Sequence, residues 1–169
     1  MANMKTNESQ ESVTSLSEDP SADSSNQLFV IQKHQASRLH YDFRLEMEDP
    51  ATGEKTLISW AVPKNLPTIS GIKHLAIRVR NHDLDYINFE GEIPEGSYGA
   101  GRVEIWDKGR WGLLKGDLAS GRFSFNLFGE KLKGRYQMVL TKDFSKKDKE
   151  EDDKKVHWLI WKREAGAFF

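Results

Sequence analysis

Four residues in the stretch "QKHQASRLHYDFRLEME", Gln32 to Glu48, carry side chains able to do chemistry: His34, His40, Asp42 and Arg44. In an extended chain, successive side chains point to opposite faces. His40, Asp42, Arg44 and Glu46 then share one face, while Tyr41, Phe43, Leu45 and Met47 form an apolar stripe on the other. Just upstream, in "FVIQKH", Val30, Gln32 and His34 share a face opposite Phe29, Ile31 and Lys33. The five residues "QASRL" suffice to return the chain so that His34 meets His40 and Asp42. Two imidazoles and one carboxylate make a three-ligand set that suits manganese, zinc or iron(II) and leaves positions open for water or substrate. The competing reading is a half-buried strand whose wet face carries these residues by chance. Alternation alone leaves the two readings about even.

A second polar face adds weight to the first. In "KHLAIRVRNHDLDY", Leu75, Ile77 and Val79 alternate with His74, Ala76, Arg78 and Arg80, and His82 and Tyr86 follow. Placed beside the first strand, this segment would ring a metal with Arg44, His82 and Lys64 and bring a phenol close by. Cations and donors around such a centre are what phosphoryl chemistry needs, because charge spreads over the non-bridging oxygens in the transition state. "EGEIPEGSYGAG" is glycine-rich but lacks the lysine and the strand–loop–helix setting of a nucleotide loop, so it reads as a tight connection between strands. Trp60, Trp106, Trp111, Trp158 and Trp161 have the chemistry to stack bases, but tryptophans in strands are more often core.

These residues need strands to position them, and short strands are what the chain offers. Alternation and β-branched or aromatic content predict Leu28–Lys33, Leu39–Met47, Thr56–Ala61, His74–Arg80, Asp85–Phe89, Arg102–Asp107, Arg122–Leu127, Arg135–Thr141 and Val156–Lys162. Turn signals such as "DPATGEK" and "GEKLKG" separate them. Helix is scarce, with "WGLLKGDLASG" holding a turn or two at most. The expected fold is mostly β: a small antiparallel β-barrel with little helix, a sandwich being the other arrangement that periodicity allows.

A disordered acidic and serine-rich arm, residues 1–27, is expected ahead of a single domain, residues 28–169, because the arm has almost nothing to bury. "KDFSKKDKEEDDKK", Lys142 to Lys155, is expected to be a long solvated hairpin loop. Residues 1–26 hold five acids and one base, which leaves 24 bases and 21 acids in the rest; that mildly basic remainder permits a nucleic-acid partner. The chain has no cysteine, which excludes disulfides and thiolate metal sites. No apolar run reaches membrane-spanning length and no signal core opens the chain, so a cytoplasmic protein without a membrane partner is expected.

"FVIQKHQASRLHYDFRLE", "SWAVPK", "HDLDYINFEGEIPEGSYGAG" and "VEIWDKG" closely resemble the polynucleotide 3′-phosphoesterase family, the end-healing domain of the DNA-repair ligase, ligase D. The resemblance runs from about Phe29 to Lys162. It implies a free-standing, monomeric member of that family: a manganese-dependent hydrolase, with zinc or cobalt as other divalent ions. Its substrates would be DNA or RNA 3′ ends in duplex, and its partners a DNA ligase and polymerase of end joining. Such enzymes remove a terminal ribonucleoside to leave a 3′-phosphate, then remove that phosphate to leave a 3′-hydroxyl. By motif position the resemblance assigns the metal to His34, His40 and Asp42, and the reacting phosphate to Arg44, His82 and Tyr86. Lys64 and His74 match further substrate contacts.

Two departures stand out. Ligase-linked relatives carry an arginine-containing motif ahead of the barrel that assists nucleoside removal, and the arm here has no arginine. Arg80 and Asn81 also occupy positions where relatives usually have acidic residues, which makes the groove more cationic. Two other function classes fit the same residues: a non-catalytic barrel that binds nucleic-acid ends beside a repair ligase, and an iron(II) oxygenase, whose triad is also two His and a carboxylate.

Overall fold

Alternating inward apolar and outward polar side chains generate nine strands in the computed structural model, which describes residues 26–141 and 156–164. They are β1 (Gln27–Gln35), β2 (Leu39–Glu48), β3 (Lys55–Val62), β4 (Lys73–His82), β5 (Gly91–Ile93), β6 (Gly101–Asp117), β7 (Arg122–Gly129), β8 (Lys133–Leu140) and β9 (His157–Lys162). Residues 1–25 of the expected arm and the charged run 142–155 lie outside the described residues, while Gln27, expected to end the arm, instead opens β1 by pairing with Trp111 of β6.

The strands pair antiparallel in the order β1-β2-β3-β4-β9-β8-β7-β6, and β6 pairs back onto β1. The result is a closed eight-stranded barrel, with β5 attached only to β6. Closure leaves the eight barrel strands no open edge. The expected mostly-β barrel is therefore the observed fold. Among the described residues no helix is long and apolar enough to cross a membrane.

The barrel interior is filled by the inward residues of each strand. Phe29, Ile31, Phe43, Leu45, Ile58, Trp60, Phe125 and Met138 are all inaccessible to solvent. Phe43 stacks between Trp60 and Phe125, with ring centroids 5.9 and 6.1 Å away. Trp60, Trp111 and Trp158 are core, as tryptophans in strands usually are, and Trp106 packs partly buried against it.

Besides Gly91–Ile93, which forms the short strand β5 inside the stretch read as a connection, two segments differ from the sequence expectation. Asp85–Phe89 is not a strand: Leu84–Asn88 forms a short 3-10 helix, with Tyr86 N–H bonded to Asp83 O at 3.0 Å and Phe89 N–H to Tyr86 O at 3.1 Å. It crosses the outside of the barrel, where no strand is available to pair with it. The i, i+3 side chains of such a helix eclipse, so Tyr86 and Phe89 stack with centroids 4.8 Å apart. The second difference is β6, which runs on to Asp117 where a strand ending at Asp107 was expected, so "WGLLKGD" is strand and not helix. Its Gly109 lies against β7 so closely that a Cβ would overlap the carbonyl of Phe128. Here glycine permits close approach and does not end the strand.

Candidate functional site

The alternate, outward-facing residues of β1, β2 and β3 build the site. Register sets His34 opposite His40 and Gln32 opposite Asp42 across β1–β2, while Ser59 of β3 lies opposite Arg44. Because Phe43 and Leu45 point into the core, Asp42 and Arg44 point to the outside of the barrel wall. That outer face is not wet. Asp42 is 5% exposed and Arg44 3%, because the short helix and the loop before β6 roof it over.

His34, His40 and Asp42 converge as their spacing predicts. His34 Nδ1 lies 2.9 Å from Asp42 Oδ2, and His40 Nε2 lies 3.2 Å from Asp42 Oδ1. The far nitrogens of both rings face backbone carbonyls: His34 Nε2 is 2.6 Å from Gly99 O, and His40 Nδ1 is 3.1 Å from Arg38 O. A carbonyl only accepts, so those nitrogens carry the N–H groups in the neutral tautomers assigned by this network. In that neutral form each ring aims a lone pair at the carboxylate, and once protonated it donates a hydrogen bond to it instead. Burial pushes the Asp42 carboxyl up, but hydrogen bonds from His34 and His40 and the Arg44 charge outweigh it and hold the group well below the usual carboxylate range. The hydrogen bond to Asp42 raises His40 above its ordinary value against the opposing effect of burial.

Three acceptors facing one another are stable only with a proton or a cation between them. One donor atom from each of the three residues lies within 4.8 Å of the others, so the set fits a divalent ion in a two-nitrogen, one-oxygen arrangement. Backbone carbonyls that fix the tautomer of ligating imidazoles are the usual outer support of such sites.

Arg44 carries the site toward the short helix. Its Nε donates to Gln32 Oε1 at 2.7 Å and its Nη1 to Ser59 Oγ at 2.9 Å, and Nη1 also lies 3.1 Å from His82 Nδ1. Nη2, 3.5 Å from Asp42 Oδ2, keeps donor capacity. Gln32 in turn donates from Nε2 to Tyr86 O at 3.0 Å and to Phe89 O at 3.3 Å, which ties the helix to the strand. The guanidinium lies 5.0 Å from the Tyr86 ring centroid, and the His82 and Tyr86 rings are 4.7 Å apart.

Burial first, and then the Arg44 charge, lower the His82 pKa below its ordinary value, so the ring is neutral. Its Nδ1 is 3.2 Å from Arg80 O as well, but the guanidinium must donate, so Nδ1 accepts from Arg44 and Nε2 carries the hydrogen. Burial raises the Tyr86 phenol, which keeps it a donor.

The structure thus gathers His34, His40, Asp42, Arg44, His82 and Tyr86 into one contiguous group. Lys64 and His74 line a different cavity of ≈ 420 Å³ with Tyr41 and Trp106, and His74 Nδ1 is 2.7 Å from Asn65 O. Among the described residues neither shares a hydrogen bond, ion pair or ring contact with the Asp42 group. Sequence reasoning gave Gln32 a face but no role, and passed over Ser59 and the Gly99 carbonyl. Alternation on "TLISWAV" is the signal that would have found Ser59.

The family model described as the DNA ligase D 3′-phosphoesterase domain matches residues 32–140. The chain belongs to this family. It is 50% identical over 116 residues to the multifunctional non-homologous end joining protein LigD of Pseudomonas aeruginosa, an alignment covering 67% of this chain and 13% of that protein. It is 49% identical over 115 residues to the LigD DNA repair protein of Mycobacterium tuberculosis, and 42% identical over 126 residues to LigD of Mycolicibacterium smegmatis. Those alignments cover 67% and 69% of this chain and 14% and 16% of the two relatives, so the chain spans about a seventh of the length of the curated relatives it matches. Membership supports a hydrolytic, 3′-phosphoesterase role in end processing.

Proposed function

We propose that the protein is a manganese-dependent 3′-phosphoesterase that heals DNA or RNA 3′ ends in duplex. It removes a terminal 3′-phosphate, and also a terminal ribonucleoside, to leave a 3′-hydroxyl for a ligase and polymerase of end joining. It acts as a monomer in the cytoplasm. The observation that carries this reading is the convergence of two imidazole lone pairs on an ionised carboxylate beside a tethered arginine. His34, His40 and Asp42 hold the ion, and zinc or cobalt fit the same donors. When bound, the ion supplies positive charge to a phosphoryl oxygen and acidity to water.

Arg44 presents Nη2 to the remaining non-bridging oxygens, where charge grows in the transition state. Its other edges are held by Gln32, Ser59 and His82, so little reorganisation is needed as the reaction proceeds. Water adds to phosphorus as the bond to the leaving oxygen breaks, O5′ when the terminal nucleoside departs and O3′ when the phosphate does. The proton lost by the water ends on the leaving oxygen, and the neutral His82 ring donates a hydrogen bond from Nε2 to the charge that develops. Tyr86 donates a further hydrogen bond to the phosphoryl group. Lys64 and His74, in their neighbouring cavity, contact the substrate beyond the reacting phosphate.

The test is a duplex with a labelled strand ending in one ribonucleotide, incubated with the protein and manganese and read by mass. The expected products are the shortened 3′-phosphate followed by the 3′-hydroxyl strand. An unchanged strand with manganese, zinc and cobalt in turn, with end binding retained, would make the protein a binding module.

A further inference from the structure

The glycine-rich stretch before β6 brings a side chain to the site as well as a carbonyl. Turns closed by Ser97 N–H to Pro94 O and Ala100 N–H to Ser97 O, each 3.1 Å, fold it back over β1. Gly99, at φ +76°, delivers its carbonyl to His34, and a Cβ there would lie 3.4 Å from the imidazole. The residue just before it, Tyr98, is 68% exposed, the most exposed of the large hydrophobic side chains among the described residues. Its ring does not lie loose: the Arg80 guanidinium sits over it, with Cζ 4.3 Å from the centroid.

Arg80 is itself exposed, and its backbone carbonyl lies 3.2 Å from His82 Nδ1. One exposed aromatic and one exposed guanidinium, from β4 and from the loop before β6, therefore meet at the mouth of the phosphate-binding group. From Arg80 a groove of ≈ 540 Å³ runs past His82 and Tyr86 to Phe89.

Core packing does not explain an aromatic ring left two-thirds in water, with a cation held against it. The guanidinium restrains the ring and leaves its remaining surface to solvent, and a restrained planar ring has little ordering entropy left to lose. The surface that gains most from covering it is another flat aromatic system. Inside a duplex both faces of every base are covered by neighbours, so the free faces belong to the terminal base.

We propose that Tyr98, backed by Arg80, is a stacking platform for the 3′-terminal nucleobase, the base of the nucleoside that bears the reacting phosphate. The platform sets the end in register with Arg44 and His82 without reading base identity, since every base has a π face. It also makes the protein sensitive to base loss at the end it acts on. This inference rests on the phosphoesterase reading for its substrate class, but stacking is measurable without turnover.

The experiment compares two duplexes that differ only at the 3′-phosphate-bearing residue of one strand, adenosine in one and an abasic sugar in the other. Fluorescence anisotropy with metal chelated gives affinity for the full chain, and phosphate release with manganese is measured on the same ends. The intact protein is expected to bind the base-bearing end about tenfold more tightly, a typical contribution for one base on one aromatic. Tyr98→Ala should erase that difference, Tyr98→Phe should keep it, and Arg80→Ala should reduce it. Equal affinity for both ends in the intact protein, or an equal loss on both ends in Tyr98→Ala, overturns the platform; the second result would mean that the pair only holds the loop. Base-dependent binding lost in Tyr98→Ala, with no phosphate release from either end, would instead leave the platform standing and sink the proposed reaction.

Discussion

Two aspartates of this barrel are almost equally buried and serve opposite purposes. Asp42 is 5% exposed and Asp107 3%. Asp107 Oδ1 accepts the backbone N–H groups of Lys108, Glu130 and Lys131 at 2.8 to 3.0 Å, and its Oδ2 accepts that of Leu132 at 2.8 Å. Its partners are therefore neutral, fixed and already satisfied, and they fasten the turn between β7 and β8 to β6. The partners of Asp42 are imidazoles and a guanidinium, side chains with lone pairs or spare donors that a ligand can engage. Burial does not mark a functional acid. What matters is whether its partners could bind something else.

Replacing each carboxylate tests that contrast, and the largest effect is expected at the first. Asp42→Asn keeps the volume and removes the charge that three cationic or ligating groups face. Phosphate release should fall about a thousandfold or more, which corresponds to roughly 4 kcal/mol of transition-state stabilisation. Bound manganese should be lost while thermal unfolding stays within a few degrees of the parent. A folded Asp42→Asn protein with full activity would put Asp42 in the same structural class as Asp107. Asp107→Ala should do the reverse. It strands backbone donors, at least one of them buried, and should cost about 3 kcal/mol in a denaturant titration, with activity per folded molecule unchanged.

A smaller change sharpens the structural side. Gly129 packs into the corner that Asp107 ties down, where a Cβ would overlap Asp107 Oδ2 and come within 2.8 Å of Phe29 Cζ and 2.9 Å of Leu132 O. Gly129→Ala should therefore destabilise by about 2 kcal/mol, since two of the three obstacles are a buried ring and backbone. A midpoint equal to the parent's would mean that the corner is loose and that Asp107 does not organise it.

The two aspartates were not equally legible in the sequence. Asp42 lies in an alternating run, so period two placed it with His40 and Arg44 on one face, and a five-residue return brought in His34. Local pattern sufficed because β1 and β2 are a hairpin. Asp107 stands in "VEIWDKG", yet three of its four donors lie 23 to 25 residues away in a turn whose docking no periodicity encodes. The short helix was misread for a related reason. Alternation in "DYINF" mimics a strand, and only the lack of a pairing neighbour on the barrel's outer wall decides against one. Gln32 could be assigned to a face, but its role depends on Tyr86 and Phe89 arriving from more than fifty residues on.

The smallest expected effect separates the two kinds of polar cage. Ser59 Oγ accepts from Arg44 Nη1 at 2.9 Å and donates to Leu57 O at 3.1 Å. Ser59→Ala removes one anchor of a guanidinium that Gln32, His82 and Asp42 still hold, so activity should drop only a few-fold, worth about 1 kcal/mol. Gln32→Ala removes both an anchor and the tie to the short helix, and should cost more. Because each anchor covers for the other, the double variant Gln32→Ala/Ser59→Ala should lose more activity than the two single losses multiplied together. Simple multiplication would mean that the two contacts act independently, with Arg44 no more redundantly held than the carboxylate of Asp107.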